Sequence, residues 1–278
     1  MAFLERILGR RGAPPQAPPP QAPATAKPRP RRAPPFQPDA DDVFLVAYPR
    51  SGSTWVRAVA AAAQFGRPAR SLEELDRLCP DVHARTPAGD VAGAERHLVK
   101  SHWPRCPRDG AAAYRRVIYL LRDPRDVVLS HVRYLTQLGR HAGDFDAFLA
   151  DWLCGRVYPC SWGEHVVSWL GPPGPGPDCD LLRVRYEDLL ARPGEQFARL
   201  LSFLGTAAGD RLGEILADTS PEQMRRKEAA GMRAELRVAG LEFIGAARAG
   251  RWREALTDAQ AGAIAAAFAR PMELAGYA

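Results

Sequence analysis

No apolar stretch in this 278-residue chain approaches the roughly 18–20 residues that a membrane-spanning helix requires. Cysteine is scarce and unpatterned. The five residues, Cys79, Cys106, Cys154, Cys160 and Cys179, are odd in number and form no C-x-x-C pair. That argues against a disulfide scaffold and against the common zinc-ligand spacings, and the thiols read as reduced ones of a cytoplasmic protein. No internal repeat is present. Charge of one sign is also missing from most of the chain. The net charge is +6, and residues 1–38 account for all of it, with Arg6, Arg10, Arg11, Lys27, Arg29, Arg31 and Arg32 against Glu5. From Asp39 onward the basic and acidic residues balance, so a nucleic-acid-binding face on the body loses most of its support.

Residues 13–38 are mostly Pro and Ala with scattered Arg. Such a composition buries no core and favours extended polyproline II. Residues 1–38 are therefore expected to form a disordered basic arm, either a solvated linker or a contact for a partner. Met1 to Gly12 carries an apolar side (Phe3, Leu4, Ile7, Leu8) but is too short for a secretory signal and lacks a cleavage site. The remaining length, 39–278, suits one α/β domain.

Apolar runs of strand length occur at 43–48, 97–101, 117–122 and 180–185, with helical patterns at 54–65, 71–79, 124–138 and 194–204. Strands alternating with helices predict an α/β fold of three layers, a mostly parallel central sheet flanked by helices. A C-terminal Ala-rich helix from about 256 is expected to pack on the sheet. Ligands of such sheets sit beyond the carboxyl ends of the strands, and the informative motifs lie there.

After the first run comes Tyr48-Pro49-Arg50-Ser51-Gly52-Ser53-Thr54-Trp55. A strand, a tight loop of small residues and a helix start converge N–H groups on one point, and a cation adds charge. The nucleotide version, G-x-x-x-x-G-K-[ST], needs a Lys directly before Ser/Thr, whereas here the basic residue precedes the glycine. Ser53 or Thr54 is expected to cap the helix. Trp55 is either a core tryptophan or a platform for a base. The second run ends in Lys100-Ser101-His102, where alternation places Lys100 and His102 on one face. Histidine is the usual general base near neutral pH, and lysine stabilises developing negative charge. The third run ends at Arg122, followed by Asp123 as a cap, Pro124 at the first helical position and Ser130 two turns on. A guanidinium at a strand end beside a hydroxyl suits a second phosphate, and an ordinary salt bridge is the other reading of Arg122.

The strings YPRSGSTW, LVKSHWP and RDPRDVVLS, with VRYEDLL, Asp218-Thr219-Ser220 and Phe243-Ile244-Gly245 leading to Gly250-Arg251-Trp252, occur in one order over roughly residues 43–257. In that order they resemble the motifs of sulfotransferases that use 3′-phosphoadenosine 5′-phosphosulfate (PAPS). The resemblance implies their P-loop-like fold and in-line transfer of a sulfuryl group to a hydroxyl, most readily on a small molecule or natural product, without a metal. It implies His102 as general base, Arg50 at the leaving phosphate oxygen, Lys100 at the sulfuryl group, and Ser51, Gly52, Ser53 and Thr54 in the 5′ loop. Arg122 and Ser130 would hold the 3′-phosphate, and Trp55, Tyr186 and Thr219 would surround the adenine.

The chain departs from the family pattern in places. Arg50 replaces a lysine, a fork in place of a point donor. The family's R-K-G reads Gly245-Ala246-Ala247, with Arg248 as the expected substitute for one lost charge. Its Thr-Val dimerisation pattern reads Thr257-Asp258. Two rivals stand beside this reading: a P-loop-like kinase or nucleotide hydrolase, and a nucleotide-binding scaffold without transfer. Residues 136–170 and 222–242 are the expected walls and lid of an acceptor pocket. Phe145, Phe148, Trp152, Tyr158 and Trp162 line that pocket or belong to the core.

Overall fold

The structure, a computed structural model, describes residues 41–82, 98–105, 114–174, 176 and 178–277. The basic arm, His97 and Cys106 lie outside the described residues. Four strands, β1 (Val43–Ala47), β2 (Leu98–Ser101), β3 (Arg116–Leu121) and β4 (Asp180–Arg185), form one parallel sheet in the order β2-β1-β3-β4. Their bounds agree with the predicted runs to within one residue.

Both faces of the sheet are covered, as continuous apolar strands require. Alternate residues separate into two cores. Val43, Leu45, Leu98, Ile118, Leu120 and Val184 face helices α1 (Ser53–Phe65), α2 (Leu72–Leu78), α7 (Pro193–Leu204) and α8 (Leu212–Asp218). Phe44, Val46, Val99, Val117, Tyr119 and Leu121 face α3 (Pro124–Gln137), α4 (Phe145–Leu153), α5 (Trp162–Leu170), α11 (Asp258–Ala267) and α12 (Ala269–Ala275). The run Ala58–Ala62 in α1 is completely buried, because small side chains let that helix lie close on the sheet. Short helices α6 (Tyr186–Ala191), α9 (Pro221–Ala230) and α10 (Trp252–Ala255) complete the body.

Phe148, Trp152 and Trp162 are buried in the second core, so the aromatic set is mainly core, while Tyr158 is exposed. The expected single C-terminal helix is instead two, α11 and α12, meeting at Phe268. Pro271 supplies the reason: it has no N–H for the bond to Ala267, and its ring clashes with that carbonyl in a continuous helix. The pair packs on α5, α3 and α4 and reaches the sheet through the shared core. Thr257 caps α11 in a reciprocal box with Gln260, and Asp258, the residue that departs from the family pattern, is the acid in that helix's first turn.

The register places every strand's carboxyl end on one edge: Val46 pairs with Ser101, Ala47 with Leu120, and Leu121 with Arg185. The residues immediately beyond are Tyr48, His102, Arg122 and Tyr186. Four distant segments thus converge.

His131, on α3, is 4% exposed and its Nδ1 has no hydrogen-bond partner. Burial, with Arg50 adding repulsion, pushes its pKa from 6.5 down to about 3. The unfolded chain therefore takes up a proton near pH 6.5 that the folded chain refuses. Stability contributed by the neutral ring is present above pH 6.5 and is lost as pH falls toward 3, by up to about 1.4 kcal/mol per pH unit. In His131→Asn the urea-unfolding free energy between pH 6.5 and 4 should fall less steeply with acidification. An unchanged slope would show that His131 titrates normally in the fold.

Candidate functional site

The loop after β1 turns tightly, with the Ser51 N–H donating to the Tyr48 carbonyl at 3.3 Å. Tyr48 anchors it, its hydroxyl donating to the Cys160 carbonyl at 3.0 Å and its ring lying edge-on to Trp152. Arg50 has φ 70° and Gly52 φ 98°. A non-glycine residue in this region is strained, and such strain gathers at functional loops. Gly52 has a second constraint: a Cβ there would lie 2.6 Å from the Tyr186 ring.

Gly52 itself is the N-cap of α1, and no side chain caps the helix. This corrects the expected role of Ser53 or Thr54. Both lie inside the first turn, because the left-handed Gly52 already occupies the cap position. The consequence is chemical. The first N–H groups of a helix lack intrahelical acceptors, and without a capping side chain they can receive an anion. Ser51 adds a buried hydroxyl without a hydrogen-bond partner. These residues fit the 5′ end of a phosphosulfate nucleotide.

A second cationic station lies beside it. The Arg122 guanidinium donates to the carbonyls of Arg50 (3.0 Å) and Arg248 (3.2 Å) and sits 4.5 Å over the Tyr186 ring. Its recorded hydrogen bonds are thus to carbonyls, which leave its charge unneutralised, and the salt-bridge reading of Arg122 is not realised among the described residues. Arg50 is clasped between the Tyr134 and Phe243 rings at 4.7 and 4.8 Å. Its Nε donates to Ser130 Oγ at 3.2 Å and its Nη2 to the Phe243 carbonyl at 2.9 Å. Burial pushes its pKa down to about 10, so the charge persists at neutral pH. The Arg248 side chain points elsewhere, into an exposed ion pair with Glu254.

Past the end of β2, His102 Nδ1 lies 2.6 Å from the Ala47 carbonyl. A carbonyl only accepts, so Nδ1 carries the proton and the neutral ring presents Nε2 as the basic nitrogen. Lys100 is buried, with Nζ 2.7 Å from Asp81. Burial depresses its pKa, and Asp81 opposes the shift. Arg233 joins this group, 3.8 Å from Asp81 and 2.9 Å from Asp76, and Asp76 also pairs with Arg57 at 2.6 Å.

Trp55 packs edge-on against Phe197 and Tyr186 at 4.9 and 6.4 Å, flanking the loop from the first core. Thr219 is buried, its hydroxyl donating to the Ile215 carbonyl of its own helix at 2.8 Å. Two contributors, Glu228 and Asp81, had no sequence signal, and a third, Asp126, lay within the RDPRDVVLS string without an assigned role. Glu228 accepts from the N–H groups of Phe243 and Ile244 at 2.5 and 2.9 Å, holding the carbonyl that Arg50 uses. Asp126 accepts from those of Gly250 and Trp252 at 2.6 and 3.0 Å. Asp81 holds Lys100. A solitary acid in a charged segment has no pattern that announces such a partner.

Residues 40–276 match the family model for the sulfotransferase domain. The chain is 31% identical to human sulfotransferase 2B1 over 195 residues, covering 66% of this chain and 52% of that protein. It is 26% identical to zebrafish (Danio rerio) cytosolic sulfotransferase 1 over 244 residues, covering 81% and 80%. Thus the chain spans about half the length of the first relative and four fifths of the second. The fold resembles that of mouse sulfotransferase SULT7A1 complexed with PAP, with TM-score 0.66, 23% identity and coverage of 87% and 91%. It likewise resembles retinol dehydratase in complex with androsterone and PAP, with TM-score 0.65, 20% identity and coverage of 84% and 81%.

Gly52→Ala forces a side chain into left-handed backbone and against Tyr186. It should cost about 1–3 kcal/mol in a denaturant titration, and wild-type stability in this variant would show that the loop relaxes freely. Asp81→Asn leaves Lys100 buried without its carboxylate. It should lower stability by about 3–5 kcal/mol, more at pH 7 than at pH 10, where the lysine sheds its proton more readily. A pH-independent loss would mean that the pair's charge is not what matters.

Proposed function

The chain belongs to the sulfotransferase family, and from that premise we propose that it transfers a sulfuryl group from PAPS to an acceptor hydroxyl, most readily on a small molecule. The observation that carries this reading is the pair of anion stations at one sheet edge. The uncapped start of α1 and the Arg122 guanidinium are tied together by the bond from Arg122 to the Arg50 carbonyl, and Arg50 in turn donates to Ser130. Two stations at fixed separation suit a nucleotide bearing phosphates at both ends.

The donor supplies the sulfuryl group and a bisphosphate leaving group. The chain's residues supply charge and proton transfer. His102 Nε2 takes the acceptor's proton, with the Ala47 carbonyl holding the ring in the required tautomer. Arg50 remains charged while buried, so its attraction for developing negative charge is only weakly screened. Ser130, whose Oγ accepts from Arg50 Nε, is assigned with Arg122 to the 3′-phosphate. Lys100, buried in an ion pair with Asp81, is the lysine assigned to the sulfuryl group. Trp55 and Tyr186 form the adenine wall beside Thr219, and Arg248 serves the 3′ end only by leaving Glu254. We place the protein in the cytoplasm, a reading supported by the four free thiols among the described residues. No described helix is long and apolar enough to cross a membrane. The arm of residues 1–38 is proposed as a separate, basic partner contact.

Incubation with PAPS and a panel of phenols, alcohols and glycans, read by mass spectrometry, should show gain of one sulfuryl group on a hydroxyl. His102→Ala should lower turnover by about 10²–10⁴ while PAP affinity stays near wild type. Arg122→Gln should weaken PAP binding by about ten- to a hundredfold. Wild-type turnover by the His102 variant would remove it as base. Strict magnesium dependence, with no transfer in a chelator, would favour a kinase-like reaction instead.

A further inference from the structure

Beyond this site the described residues line a cavity of about 360 Å³ at the C-terminal edge of the sheet, where β4 and the N-terminus of α3 meet α10 and the C-terminal residues. Arg50, Arg122, Ser130 and Tyr186 do not line it. Its walls hold three acids and three arginines, a formal balance of zero, but the oxygens of the acids are turned to donors of the fold while two of the guanidiniums are not turned to acids.

Every carboxylate oxygen already has a donor. Asp123 takes the Arg125 N–H and its guanidinium on both oxygens, at 2.7–2.9 Å. Asp126 takes the N–H groups of Gly250 and Trp252. Glu187 takes the Asp123 N–H at 3.0 Å and the Tyr277 hydroxyl at 2.7 Å. Arg125 is thereby neutralised by Asp123. Arg185 and Arg253 are not: among the described residues neither has a carboxylate within ion-pair distance. Each is braced instead on an aromatic ring, Arg185 at 4.5 Å over Tyr277 and Arg253 at 4.5 Å over Trp252. Arg185 Nε is buried without a hydrogen-bond partner. Gly250, at φ 76°, gives Arg253 its place, since a Cβ there would lie 2.8 Å from the guanidinium.

We propose that this cavity is a binding site for a tetrahedral oxyanion, a phosphate or sulfate group, held between Arg185 and Arg253. Guanidiniums bind such groups in bidentate fashion, and bracing on a ring lowers the entropy lost when they do. Asp126 connects the cavity to the Gly250–Trp252 backbone, which follows the Arg248 carbonyl that Arg122 uses. Occupancy is therefore placed to influence the 3′ station.

The full chain labelled with ¹⁵N-tryptophan tests this through the Trp252 indole signal, assigned by Trp252→Phe. Inorganic phosphate, titrated with and without saturating PAP, should shift that signal along a saturable curve in both cases. Arg253→Gln, at an exposed position, should weaken the response at least about tenfold, Arg185→Gln with Arg253→Gln should abolish it, and Arg122→Gln should leave it unchanged. Tighter binding of ribose 5-phosphate would assign the site to phosphate esters; equal binding would assign it to the free ion. A non-saturable response, an equal response in Arg253→Gln, or loss of the response in Arg122→Gln or with PAP would overturn the proposal. If PAP fails to bind at all, the phosphate titration still reads this cavity, so its outcome is separable from that of the sulfotransferase reading.

Discussion

The approach of Gly52 to the ring of Tyr186 is the constraint on which the candidate site depends. The contact leaves no room for a Cβ, and the left-handed turn it permits makes Gly52 the cap of α1. Because Gly52 has no side chain to donate to, the first N–H groups of α1 remain available. The same ring carries Arg122, which reaches back to the Arg50 carbonyl. One aromatic side chain from the end of β4 thus sets the loop, the helix start and the second guanidinium together.

Charge in this region is held by burial and by carbonyls more than by acids. Arg50 lies between two rings and donates to a hydroxyl and a carbonyl. Arg122 donates to two carbonyls. Dipoles orient a guanidinium without cancelling its charge, which suits a site for a multiply charged ligand. Lys100 is treated differently. Its carboxylate partner and the linked Arg233, Asp76 and Arg57 form a partly buried chain that joins α1 and α2 to the segment after α9. Breaking such a chain costs more than the chain itself contributes, because it strands a buried charge.

The strand runs, the parallel sheet, the Asp123–Pro124 helix start and the positions of His102 and Arg122 were all legible in the sequence. Each depends on local pattern: apolar period, cap chemistry, or a strand end. The helix break before Pro271 was legible in principle, since proline acts locally, yet the Ala-rich run obscured it. The cap of α1 was not legible. Ser53 and Thr54 have capping chemistry, and only the close packing of Tyr186 assigns that position to Gly52.

The sequence by itself determined which residue types stand at which strand ends, because period and motif order are properties of the chain. Tertiary structure alone decided their partners. That Arg50 meets Ser130 and Phe243, that Lys100 meets Asp81, that Glu228 holds the Phe243 backbone and that Arg248 turns to Glu254 all follow from how distant segments pack. Ion pairing and burial act through space over a few ångströms. Separation along the chain, 193 residues between Arg50 and Phe243, carries no record of them.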